Sequence, residues 1–198
     1  MKDFWLWFST GVEHITDWGG YDHILFVALI TLAYCFDTWK KLALMITAFT
    51  VGHSISLAVS VVSHVEINSE LVEFLIAFSI LITAIYHLWN IKKKQKHQSN
   101  FLYFVVIFFG LIHGLGFSFL LKAMLGKEES VVMPLLYFNL GLEVGQLLIV
   151  FAVVILNMIM AFLFKVPFQL YKLILVSVIG IIALKVSIER LIHLYHAT

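Results

Sequence analysis

Polar residues that interrupt long apolar runs are the first candidates for chemistry in this sequence. A charged or strongly polar side chain at the centre of a membrane span costs roughly 3 kcal/mol on insertion scales, so such residues usually face the bundle interior and mark a site. Three of them here are histidines and several are carboxylic acids. The set consists of Asp22, His23, His53, Ser54, Glu73, His113, Asn139, Glu143 and Gln146.

Imidazole nitrogens and carboxylate oxygens without thiolates are the donor set of a borderline divalent metal. Histidines on three separate apolar runs, with Asp22, Glu73 and Glu143, favour Ni(II), Zn(II), Co(II) or Fe(II). Cys35 is the only cysteine, which leaves no cysteine-based site and no internal disulfide. Some polar residues would not bind the metal themselves but orient its ligands through hydrogen bonds, and we call these the second-tier residues. These are Thr50, Ser54, Asn139 and Gln146.

The composition shows what kind of structure must position these residues. The 198 residues are 62% apolar and only 13% charged, and the mean hydropathy is +0.99. A soluble domain has about 45–50% apolar and about 25% charged residues, so the chain is predicted to be an integral membrane protein. A net charge of +1 provides no basic surplus for a nucleic acid.

The apolar runs are continuous rather than alternating, which predicts an all-α bundle and not a membrane barrel. The predicted spans, six in number, lie near 21–36, 42–63, 71–91, 101–121, 132–164 and 168–194. Residues 1–198 are expected to form a single bundle domain. Residues 1–19 are predicted to be an interfacial segment in the outer headgroup region, because Phe4, Trp5, Trp7 and Phe8 cluster there.

Lysine placement predicts the orientation of the bundle. One side holds Lys40, Lys41, Lys92, Lys93, Lys94, Lys96, Lys165 and Lys172, and the other holds Lys2, Lys122 and Lys127. The lysine-rich side should be cytoplasmic, so both termini are expected outside. The expected location is the bacterial inner (cytoplasmic) membrane, crossed several times.

Helix geometry places the polar residues at a shared depth. At a rise of ~1.5 Å per residue, His53 and His113 lie roughly 16 and 18 Å above the cytoplasmic starts of their spans. Asn139, Glu143 and Gln146 share one helix stripe, and a second stripe contains Thr47, Thr50 and Ser54. The Gly110-x-x-x-Gly114 and Gly141-x-x-x-Gly145 spacings predict close helix approach. The site is therefore expected in the outer half of the membrane.

Each residue also has a structural interpretation. A single buried histidine more often has a hydrogen-bonded structural role, Asp22 is suited to cap a helix, and Glu73 to complement a helix dipole. Lys185 either extends toward the headgroups or pairs with Glu189 or Glu143. Three further histidines are expected at the membrane interfaces, namely His87, His193 and His196. The metal-site hypothesis therefore depends on the histidines acting together.

Five blocks of this sequence, in order, resemble the HupE/UreJ family. They are 20–26 (GYDHILF), 47–54 (TAFTVGHS), 72–73 (VE) with 77–80 (AFSI), 109–117 (FGLIHGLGF) and 138–146 (FNLGLEVGQ). The resemblance runs from about residue 11 to 146 and implies a nickel permease-like membrane protein, from a family associated with hydrogenase and urease gene sets. The family residues carried over by position are Asp22, His23, His53, Ser54, Glu73, His113, Asn139, Glu143 and Gln146.

The sequence departs from the family pattern at two positions. Seven residues separate His14 from Asp22, where the family pattern has five, and His14 is kept as a candidate metal ligand. His87 stands where the family pattern has a Glu-Asn pair.

The predicted function is a divalent transition-metal permease, for nickel or else cobalt or zinc, and the ion expected at the site is nickel or zinc. The alternative is a metal-dependent intramembrane hydrolase of a lipid or membrane-anchored substrate, because three histidines and an open position suit a catalytic zinc. Its catalytic residues would come from Glu73, Glu143 and Ser54. A structural metal site in an assembly or sensor subunit is the third reading. Expected partners are the metal ion and membrane lipid, a homo-oligomer is left open, and no nucleic acid is expected.

Overall fold

The computed structural model describes residues 2–33, 39–63, 68–91, 100–125 and 131–197. These residues form helices and connecting turns, and no strand occurs among them. The helices are α1 (Lys2–Thr16), α2 (Asp22–Ala33), α3 (Trp39–Ser63), α4 (Ser69–Trp89), α5 (Asn100–Leu125), α6 (Val132–Phe162) and α7 (Phe168–Ala197). The all-α prediction is confirmed.

The six predicted spans correspond in order to α2 through α7. Four of these helices, α3, α4, α6 and α7, are long and apolar enough over their described residues to cross a membrane. The described parts of the other two give shorter apolar helices, Asp22–Ala33 and Leu102–Ser118. Parts of the predictions lie outside the described residues: the end of the first span at 34–36, which includes Cys35, and, among the lysines used for the orientation, Lys92, Lys93, Lys94, Lys96 and Lys127.

Helices α3 and α5 run parallel and in close contact, because glycines line their interface. A Cβ atom at Gly110 would stand 2.5 Å from the backbone oxygen of Phe49, and one at Gly52 would stand 2.8 Å from that of Ile107. At Gly114 a Cβ would meet the side chain of Ser56. The close approach predicted from the first glycine pair is therefore confirmed, and it brings the histidines of these two helices to one level.

Helix α1 runs parallel to α6 and packs along its first half. Each of three glycines at this contact faces the partner helix so closely that a Cβ would overlap it: Gly11 in α1, and Gly141 and Gly145 in α6. Trp7 and Ile15 are buried. The aromatic segment predicted to lie in the headgroup region is thus a helix docked lengthwise on a neighbour. Its depth in the membrane remains a prediction.

The rest of the bundle is built from an antiparallel pair and an enclosed helix. Helices α4 and α7 pair closely, with Gly180 facing Ala84. Asn68 caps α4, because its side-chain oxygen accepts a hydrogen bond from the Leu71 amide at 3.1 Å. Helix α2 is buried over nearly its whole length, which explains why its apolar residues cover every face.

Candidate metal centre

Four histidines from four helices meet in the bundle. His14 belongs to α1, His23 to α2, His53 to α3 and His113 to α5. The ring centroids of His23 and His113 are 4.0 Å apart, and those of His14 and His23 are 4.7 Å apart. His14 and His53 are separated by 5.8 Å. We call these four residues the imidazole cluster.

Phenylalanines surround the imidazole cluster. The ring of Phe117 lies 4.0 Å from that of His14, and the ring of Phe109 lies 4.2 Å from that of His113. Phe49 and Phe138 complete this collar against His53, at 5.8 and 6.1 Å.

Sequence reasoning missed these phenylalanines, although the signal was present. Phe49 precedes His53 by four residues, and Phe109 and Phe117 flank His113 by four residues on either side. Residues four apart on a helix lie on the same face, so these rings had to accompany the histidines.

The imidazole nitrogens are buried, and several have no hydrogen-bond partner. The exposed fraction is 5% for His23, 0% for His53 and 4% for His113. Both nitrogens of His53 and Nε2 of His14 are unpaired, whereas the imidazoles of His23 and His113 each face a backbone group, of Gly20 and of Phe109 respectively. Most buried polar side-chain atoms in proteins do have a partner, so a group of unpaired nitrogens requires an explanation.

His14 joins the cluster to a pocket of about 530 Å³. The residues that line this pocket are Thr10, Glu13, His14, Thr16, Asp17, Trp18 and Phe117. His14 lies in α1, which is not one of the predicted spans. Burial lowers the pKa of its imidazole to about 4, although the negative charge of Asp17 acts in the opposite direction. The His14 imidazole is therefore neutral near pH 7 and keeps a lone pair for a ligand.

The cluster has the spacing of a metal site but not the orientation. With metal–nitrogen distances of about 2.0–2.1 Å, two imidazoles on one ion have ring centroids roughly 5 Å apart, similar to the spacings found here. As the side chains stand, however, no three His, Cys, Asp or Glu residues within the described ranges are arranged to hold an ion. The four rings instead pack against one another and against the phenylalanine collar.

The predicted second-tier residues bond to one another and to the backbone. Thr47 Oγ1 donates to Glu143 Oε1 at 2.7 Å, and Thr50 Oγ1 donates to Gln146 Oε1 at 2.9 Å. The two polar stripes of α3 and α6 therefore face each other. Ser54 Oγ donates to the Thr50 carbonyl oxygen at 2.6 Å.

Asn139 differs from the other three predicted second-tier residues, Thr50, Ser54 and Gln146, because one of its polar atoms has no hydrogen-bond partner. Its Nδ2 donates to the Leu135 carbonyl oxygen at 2.7 Å. Its Oδ1 is buried without a partner.

The other two predicted carboxylates belong to a separate group of charges. Asp22 is the first residue of α2, immediately before His23. Glu73 in α4 forms an ion pair with Arg190 in α7, and the charges of both act on Asp22. Sequence reasoning missed Arg190, although it is the only arginine in the chain.

Two further predictions can be compared with the structure. Lys185 contacts Glu189 at 3.7 Å, as one of the interpretations predicts, but both side chains are more than half exposed, so the pair contributes little to stability. His87, expected at the membrane interface, lies in the last turn of α4 and is buried, and its Nε2 has no partner. It is separate from the imidazole cluster.

The sequence was compared with family models, curated proteins and solved structures. No curated protein and no solved structure matches the chain significantly. The sequence model of the family described as HupE / UreJ protein matches residues 1–193, which is nearly the whole chain. Together with the helical bundle described above, this match shows that the chain is a membrane protein belonging to the HupE / UreJ family.

Proposed function

We propose that this protein is a divalent transition-metal permease whose cargo passes through the imidazole cluster, with nickel as the first candidate ion and cobalt or zinc as the alternatives. The observation that carries the proposal is the meeting of His14, His23, His53 and His113 from four helices, with buried and unpaired nitrogens. Neutral imidazoles bind ions of this class without the cost of burying ligand charge. A nickel cargo is also what the family resemblance implies.

The pocket beside His14 is the proposed access route for the cation. Glu13 and Asp17 line it, and their carboxylates attract a hydrated cation toward His14. The lysine distribution predicts that this end of the bundle faces the cell exterior, in the inner membrane of a bacterium. The ion would exchange its water there for imidazole nitrogens.

Binding requires the imidazoles to turn from their present packing. Rotation of His53 about its side-chain torsions would redirect nitrogens that have no hydrogen bonds to lose. The free oxygen of Asn139 is a candidate to orient one of the turned rings. The site therefore combines a low cost of rearrangement with four potential ligands.

The hydrolase alternative receives less support from the contacts. Its candidate base Glu73 is paired with Arg190, and its other candidate base, Glu143, accepts a hydrogen bond from Thr47. The hydroxyl of Ser54 donates to a backbone oxygen. All three therefore already have an ion-pair or hydrogen-bond partner, whereas a general base must be available to the metal-bound water.

Metal content is the first test. The purified chain is loaded with Ni(II), desalted and analysed by mass spectrometry for bound metal, with His53→Ala and His113→Ala beside the wild type. We expect both variants to lose the ion. His193→Ala is the control, because this histidine is exposed on α7 and is not part of the imidazole cluster, and it should retain the wild-type content. Equal nickel in His53→Ala and wild type would refute the site.

Flux is the second test and separates transport from hydrolysis. Proteoliposomes holding a metal-sensitive dye should take up Ni(II), Co(II) or Zn(II) with the wild type and not with His53→Ala. Tight retention of the metal without flux would contradict the permease and favour the hydrolase. His14→Ala, assayed in parallel, should lower metal affinity, since His14 connects the pocket to the cluster. Unchanged affinity would exclude His14 as a ligand.

A further inference from the structure

The imidazole cluster has a pocket side and a far side, and phenylalanines adjoin it on the far side. In α5, Phe109, His113 and Phe117 follow one another at four-residue steps of about 6 Å. Phe117 lines the pocket, so Phe109 lies on the side of His113 away from it, with its ring 4.2 Å from the imidazole. In the parallel helix α3, Phe49 precedes His53 by the same step, at 5.8 Å.

Three phenylalanine rings from three helices close the far side. Phe26 of α2 stacks on Phe109 with 3.5 Å between the ring centroids, and Phe49 lies 5.7 Å from Phe109 and 6.2 Å from Phe26. Each ring is at most 1% exposed, and we call the three the far-side layer. A cation pays a large desolvation cost among such residues, so the layer blocks its passage. Buried apolar residues continue one turn further along the same helices, namely Ile30, Met45 and Val105.

The glycine contacts indicate where the far-side layer can part. Phe49 and Phe109 belong to α3 and α5, whose backbones are in close contact, since a Cβ at Gly110 would stand 2.5 Å from the backbone oxygen of Phe49. Helices packed this closely move as one unit. Phe26 belongs to α2 and meets this unit through its ring. The Phe26–Phe109 stack is therefore the contact that breaks when α2 separates from the α3–α5 pair.

We propose that the far-side layer is the gate through which the cation leaves the imidazole cluster, and that it opens at the Phe26–Phe109 stack. The proposal rests on the permease function above. In the present structure the pocket reaches the cluster through His14 while the far side is closed. This corresponds to one half of an alternating-access cycle, in which one helix group moves against another around a fixed site. The lysine distribution predicts that the far side faces the cytoplasm.

A purely structural role for the three rings is the competing explanation. Rings that only pack the bundle and hold the histidines in place would, when made smaller, weaken metal binding and slow transport. A gate behaves differently, because its rings contact one another and must separate for the cation to leave. A smaller gate residue therefore speeds transport and leaves the affinity of the histidines for the ion unchanged.

The experiment compares Ni(II) uptake with Ni(II) affinity in the same variants. Uptake is the initial rate per protein at saturating Ni(II) in proteoliposomes that hold a metal-sensitive dye, and affinity is the dissociation constant of the full-length chain in detergent. Loss of a stacked aromatic pair changes a rate or equilibrium constant by about fivefold. We therefore expect Phe26→Leu to take up Ni(II) about fivefold faster with an unchanged dissociation constant. Phe109→Leu removes the other ring of the stack and decides the case if Phe26→Leu does not fold.

Phe108→Leu is the matched control. Phe108 is the neighbour of Phe109 in α5, but it is 44% exposed and its ring lies beside that of Phe104, outside the far-side layer. Its uptake and affinity should equal those of the wild type. Uptake no faster than wild type, or Ni(II) affinity lowered, in the stack variants would overturn the gate while the permease stands. Absence of Ni(II) uptake by the wild type would refute the permease itself, and the gate with it.

Discussion

Replacing His53 by leucine should make the protein more stable while removing its metal binding. His53 is fully buried, and both of its ring nitrogens lack a partner. An unsatisfied buried polar atom costs about 1–3 kcal/mol. Leucine is similar in size and has no polar atom, so the substitution removes this cost. Some packing against Phe49 and Phe138 is lost, which offsets only part of the gain in stability. We expect the free energy of unfolding of the metal-free protein to rise by about 1–2 kcal/mol.

The assay is equilibrium unfolding in mixed micelles with a chelator present. Phe109→Leu provides the matched control, because Phe109 is also fully buried and its ring stacks on Phe26 at 3.5 Å. It removes contacts without removing an unpaired nitrogen, and should cost about 1 kcal/mol. If His53→Leu destabilises the protein as much as Phe109→Leu does, the His53 imidazole supports the fold, and the argument from unpaired nitrogens is refuted.

Three other predictions concern the framework and are checked by the same unfolding measurement. Gly114→Ala should cost about 1–3 kcal/mol because its Cβ would overlap α3, whereas Gly116→Ala, whose Cβ would meet its nearest neighbour at 3.4 Å, should be neutral or stabilising. Thr50→Val should cost about 1–3 kcal/mol because it leaves the buried Gln146 oxygen without its donor, and Thr50→Ser should retain most of the stability. Asn68→Ala should cost about 1 kcal/mol by removing the cap of α4, and no measurable loss would mean that the cap is redundant.

The fold was largely predictable because its signals are local. Continuous apolar runs separated by charges gave the six helices from α2 to α7, and the glycine pair around His113 gave the close contact with α3. The docking of α1 on α6 was not predicted, since its aromatic residues suit a headgroup region as well as a helix interface. Gly11 faces α6 in the structure, and nothing in the sequence near Gly11 indicates which helix it contacts.

The proximity of the histidines was predictable from the sequence, whereas the partners of the charged residues were not. Shared depth on separate spans was enough to bring His23, His53 and His113 together, because helices of one bundle expose the same level to one another. The partners that the carboxylates contact depend on which helices are neighbours, and depth in the membrane does not predict helix neighbours. Glu73 was therefore expected beside the histidines, whereas α7 places Arg190 against it.

The lack of hydrogen bonds to buried imidazole nitrogens is consistent with a transient cargo. Apolar side chains in place of the four imidazoles would stabilise the fold more, because the imidazoles leave unpaired nitrogens within the phenylalanine collar. A permanent metal site would be expected to hold its ligands in place through hydrogen bonds to their second nitrogens, as metal-binding histidines usually have. Here neither nitrogen of His53 has such a bond. An imidazole without that bond can turn away from the ion, which lowers the barrier to release, as a carrier requires and a structural metal site does not.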